Sequence, residues 1–129
     1  MNLESEIHRR WAADFGLASL VPVERVFTGV AGGAGALPYV VIERVIVTPK
    51  ARTSSGTTID ETTLRLNIWA AGLEQAQAIA RAAAARLERA DFPLAEGRVL
   101  DVLLTDERHQ RQPDGGWHVA LDYRLIHLH

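Results

Sequence analysis

Apolar residues recur every four positions at the start of the chain, at Leu3, Ile7, Trp11 and Phe15. At 3.6 residues per turn this stripe drifts only about 40° per step, which predicts one amphipathic helix with Asn2 as N-cap and Gly16 as its stop. Pro22 introduces a short extended piece over 23–28, followed by a glycine-rich run over 29–36. The period then changes from four to two. Residues 39–48 read as a strand with apolar side chains on both parities: Tyr39, Val41, Val45 and Val47 on one, Val40, Ile42 and Ile46 on the other. Pro49 is expected to close it, leaving 50–60 as a long polar hairpin loop. From Thr62 alternation is clean, with Leu64, Leu66 and Ile68 opposite Thr63, Arg65, Asn67 and Trp69.

A second helical pattern begins near Gly72, where Leu73, Ala76, Ala80, Ala83 and Leu87 recur at steps of three and four. Its alanines keep it thin, so that it can lie close to a sheet, and Asp91-Phe92-Pro93 ends it. The last third reads as one hairpin, 99–110 paired with 117–128 around Gln112-Pro113-Asp114-Gly115-Gly116. Trp117, Val119, Leu121, Tyr123 and Leu125 share its buried face, while the outgoing strand turns polar from Thr105. The pattern predicts a single α+β domain spanning 1–129. It has two layers, an antiparallel sheet of four to five strands with two helices packed on one face.

Composition narrows the function. A chain of 129 residues with 47% hydrophobic content can bury one core. It has no cysteine, which removes disulfides, thiolate metal sites and thiol catalysis. Fourteen basic residues against sixteen acidic ones give a net charge of −2 without a basic run, so no nucleic-acid specificity is expected. No apolar run approaches the ~20 residues of a membrane helix, and the charged start is unlike a secretory leader. The chain reads as soluble and intracellular when made.

Candidate chemistry is sparse. The glycine-rich run lacks the Gly-Lys-Ser/Thr and helix of a phosphate loop, and Leu37-Pro38-Tyr39 follows it. His127 and His129 share a strand parity and make a possible metal pair, but two ligands at a chain end make a poor site without a third, and a solvated terminus is the expected reading. The adjacent acids Asp60-Glu61 and Asp106-Glu107 point to opposite faces, and Ser54-Ser55 lacks nucleophile-elbow glycines. No enzymatic activity, cofactor or metal is expected.

Surplus apolar surface is the informative anomaly. Helices can cover one sheet face, yet apolar residues occupy both parities of 39–48, and Trp69 stands opposite its own strand's apolar set. Val40, Ile42, Ile46 and Trp69, with Arg65 beside them, are therefore candidate interface residues. Arg52 in the polar loop and Arg108 and Arg111 at the hairpin tip complete the set.

Several pieces, in order, carry a family resemblance. They are the N-terminal amphipathic helix, Arg25-Val26-Phe27, Leu37-Pro38-Tyr39-Val40-Val41, Asn67-Ile68-Trp69 leading into an alanine-rich helix, and the hairpin with Pro113-Asp114-Gly115. Together they resemble the tail-completion, or tail terminator, proteins of long-tailed bacteriophages and gene-transfer particles. The resemblance implies a structural role without catalytic residues: a homo-hexameric ring on the head-proximal end of the tail tube, touching the tube protein and the head–tail connector. It also implies assembly in the host cytoplasm, then residence in the virion tail. The 50–60 loop and the hairpin tip are the candidate docking elements. A head-closure or neck adaptor protein, or a cellular protein–protein interaction domain, would have a similar sequence pattern.

Overall fold

The computed structural model describes residues 3–29, 37–94 and 97–129. Helices α1 (Leu3–Ala13) and α2 (Phe15–Leu20) lead through a 3-10 turn at Val23–Arg25 to β1 (Val26–Thr28). The long hairpin β2 (Tyr39–Arg52) and β3 (Thr58–Ala70) precedes α3 (Leu73–Leu87). Strands β4 (Phe92–Leu94), β5 (Gly97–Arg111) and β6 (Trp117–Leu128) follow. All six strands form one sheet in the order β1-β2-β3-β6-β5-β4.

Six strands and three helices replace the expected four to five and two. The apolar stripe continues from Leu3 to Phe15, but the helix breaks one residue earlier than it does. Asp14 is extended and its side chain accepts from the Leu17 N–H at 3.0 Å, capping α2. Phe15 consequently leaves the stripe and stands 89% exposed, and Gly16 lies within α2 instead of stopping α1. The extended piece expected over 23–28 forms β1 in its second half, after a 3-10 turn, while the added strand β4 is three residues long, too short to show a period. β1 also runs parallel to β2, so the sheet is not wholly antiparallel.

Pro49 does not close β2, which continues to Arg52. β1 pairs only with Val40, Val41 and Ile42, so at Pro49 β2 is an edge strand, where proline is tolerated for want of a ladder duty. The expected 50–60 loop shrinks to a tight turn closed by Thr53 N–H donating to the Thr57 carbonyl at 2.8 Å. The glycine-rich run and the Asn2 cap fall on residues 30–36 and 2, outside the described residues.

The helices share one face of the sheet. Leu3, Ile7 and Trp11 of α1 and Ala76, Ile79, Ala80 and Ala83 of α3 pack in one cluster with Val40, Ile42, Leu64, Leu66, Ile68, Val119, Leu121 and Leu125. Trp11 is 1% exposed and donates its indole N–H to the Val21 carbonyl at 3.0 Å, tying α1 to the end of α2. The Arg10 guanidinium lies 4.1 Å from the Phe92 ring centre, joining α1 to β4. Tyr123 belongs to the core, yet its hydroxyl has no hydrogen-bond partner among the described residues.

Candidate assembly surface

Among the described residues, no helix lies on the sheet's second face. Cross-strand partners share a face, so the register fixes what lies there. The row nearest the 112–116 turn is aromatic. Trp69 lies between Tyr39, at a ring separation of 4.9 Å, and His118, at 4.4 Å, both stacked. Phe27 meets Tyr39 edge-on at 6.3 Å. Four neighbouring strands (β1, β2, β3 and β6) thus contribute one ring each, and Trp69 is half-buried by its own neighbours instead of awaiting a partner.

The next rows are a polar network. The His118 Nε2 bonds the Asn67 Oδ1 at 3.0 Å, and the Asn67 amide donates to Glu43 at 3.1 Å. Arg65 donates twice to Asp122, at 2.8 and 3.2 Å, and lies 3.9 Å from Glu43. Arg108 reaches Asp122 at 3.7 Å and Asp106 at 3.6 Å. Asp122 keeps the Arg65 guanidinium protonated beyond its ordinary range. Burial, and then the Arg108 charge, push the His118 imidazole down, favouring its neutral form. These groups satisfy one another across the sheet, which leaves a face with little free valence.

The expected interface residues separate into three kinds. Val40 and Ile42 are 0% and 1% exposed beneath the helices and drop out of the candidate surface. The reason is a register shift between Arg44 and Ile46, which puts Ile46 opposite Thr63 on the open face although Ile42 lies opposite Leu66 on the covered one. Parity counting cannot cross a bulge. Arg65, Trp69 and Arg108 do lie on the open face, bound into the networks above. Ile46, Arg52 and Arg111 are exposed, and neither arginine makes an ion pair among the described residues.

Sequence reasoning missed the outer rim of β2. Val45, Ile46 and Val47 are 46%, 57% and 41% exposed in succession, a run the alternation rule had divided between two faces. The turns at 53–57 and 112–116 project from opposite ends of the sheet, because β2 and β5 run in opposite directions through the ladder. Near the second turn, Leu37, Tyr39, Trp69, Pro113 and Trp117 line an open cleft of about 450 Å³. Its acid, Asp114, is engaged by the Gly116 N–H at 2.9 Å.

His127 is buried, not solvated as the terminal position suggested. Its Nε2 meets the Thr62 hydroxyl at 2.8 Å, while His129 bonds Asp60. Among the described residues no three His, Asp or Glu side chains gather as a metal-holding group. Asp106 engages Arg108, Glu107 engages His109, and Ser54-Ser55 sits in the exposed turn. Among the described residues, no helix is long and apolar enough to cross a membrane.

The family model of the tail completion protein gp17 matches residues 5–128. The chain belongs to that family. It is a phage tail-completion protein, a structural component of the tail. Its fold superposes on a chain of the virion of a native gene transfer agent particle with a TM-score of 0.80, at 23% identity, covering 98% of this chain and 95% of that one. No curated protein matches it.

Proposed function

We propose that this tail-completion protein forms a closed, homo-hexameric ring on the head-proximal end of the tail tube. There it stops tube growth and offers a surface to the head–tail connector. The observation that carries this reading is the placement of the two hairpin turns at opposite ends of one sheet. A subunit built this way can touch one neighbour with the 53–57 turn and another with the 112–116 turn, while its lateral rims stay free for copies of itself. A ring requires such heterologous contacts, with different patches meeting at each junction. The protein acts by shape and carries out no chemical step. It assembles in the host cytoplasm and remains in the finished tail.

Two deletions test this. Removing residues 54–58 is expected to abolish one docking event, and shortening the 112–116 turn the other. One variant should yield tubes of uncontrolled length and the other capped tails without heads. Electron micrographs in which both variants give normal, head-joined tails would refute the assignment.

A further inference from the structure

Both lateral rims of the sheet are stepped. On one side β1 covers β2 only at Val40, Val41 and Ile42, and no described strand covers β2 from Arg44 to Arg52. On the other, β4 covers β5 only at Gly97, Arg98 and Val99. The segment before β4 extends that cover, since the Arg89 N–H donates to the Val102 carbonyl at 2.7 Å and Glu88 accepts from the Leu104 N–H at 2.9 Å. Beyond Leu104 the rim of β5 is bare among the described residues.

The ladder relates the levels of the two rims. Val40 aligns through Ile68 and Val119 with His109, and Val47 through Thr62 and Leu125 with Val102. The raised step of one rim, β1, therefore stands level with the bare stretch of the other. The raised step of that other rim, β4 with Glu88 and Arg89, stands level with the bare stretch of β2. Set side by side with strands aligned, two copies fit step into notch.

Charge follows the same order. Glu24 lies in the 3-10 turn just before β1, toward the end of the sheet where Arg111 ends β5. Arg44 aligns through Leu64 and Tyr123 with Leu104, which Glu88 holds. Lys50 stands within two levels of Asp91, the residue before Phe92, which pairs with Val99. One rim thus carries Glu24, Arg44 and Lys50, and the other Arg111, Glu88 and Asp91, with Arg89 of that rim engaged by Asp101. Glu24, Glu88 and Arg111 make no ion pair among the described residues, whereas Arg44, Lys50 and Asp91 have partners in their own chain. Between its charges the first rim exposes Val45, Ile46 and Val47, and the exposed Leu100 lies beside the second rim about two levels from Val47.

We infer that neighbouring copies of this chain join rim to rim, the outer half of β2 of one copy lying along β4 and the Glu88–Arg89 segment of the next. The unpaired backbone groups of an edge strand are the chemistry that recognises this partner. The inference rests on the ring proposed above and specifies its junction. Because the native chain lacks cysteine, a paired-cysteine test is clean. Thr48 and Asp91 are exposed and stand near one level on opposite rims, so Thr48→Cys and Asp91→Cys are introduced together and singly, and tails are purified and mildly oxidised. The double variant should give a ladder of cross-linked multimers on non-reducing gels, and each single variant a monomer band. Tails that contain the double variant but show only monomer would overturn the rim junction and leave the ring standing. Absence of the unaltered chain from tails would overturn the ring itself.

Discussion

Ile42 and Ile46 lie four residues apart on the same strand and share a parity, yet the register shift between them sends one into the core and the other into solvent. Replacing each by alanine separates folding from assembly. Ile42→Ala removes three carbon groups from a site 1% exposed. At about 0.8 kcal/mol for each group the transfer loss is roughly 2.4 kcal/mol, and the residual cavity brings the total to about 3–4 kcal/mol. Ile46 is 57% exposed, so its truncation should cost no more than about 1 kcal/mol, mostly lost strand preference. Urea titration of the two purified variants reads both numbers, provided the denaturant slope stays constant. Ile46→Ala should then fold normally but enter tails poorly. Comparable losses of stability at both sites, or a loss above about 2 kcal/mol at Ile46, would refute the placement of the bulge.

Other groups respond to substitution or pH in ways their surroundings fix. Tyr123→Phe removes a buried hydroxyl without a partner, so it should leave stability unchanged or raise it by about 1 kcal/mol in thermal or urea unfolding. Burial lowers the affinity of both His127 and His118 for a proton below that of an unfolded histidine. The unfolded chain therefore takes up protons first as pH falls below about 6.5, and stability should decline from there until the folded histidines also titrate, with no contribution from them above that range. His127→Gln should flatten this slope, and an unchanged slope would assign it to other groups. Gly97→Ala should cost several kcal/mol or prevent folding, since φ is +119° and a Cβ would come within 1.9 Å of the Leu128 carbonyl oxygen. Near-native unfolding of that variant would contradict the close approach of β5 to the end of β6.

Much of the scaffold was legible from period alone. The α3 helix over Leu73–Leu87 and the β6 strand over Trp117–Leu128 have the expected bounds, because long uninterrupted stripes of period 3.6 or 2 dominate local preference. What failed were features a period cannot encode. Three-residue strands borrow their conformation from the ladder they join: β1 was legible only as the extended piece that Pro22 introduces, and β4 went unseen. Pro49 suggested an ending because its tolerance depends on being at the sheet edge, which is a tertiary fact. The surface was legible only in part. Trp69 opposite Leu66 and Ile68 marked an aromatic row on the second face, but the rings of Tyr39 and His118 that flank it come from other strands, and the polar rows beyond were not read. The exposed Val45–Ile46–Val47 rim emerged only once the bulge was known.

The account depends above all on where the protein sits in a finished particle. Electron microscopy of tails carrying a gold-labelled tag on this chain reads that position directly. A cluster of label confined to the tail end nearest the head is the predicted result. Label spread along the tube, or gathered at the far tip, would contradict it.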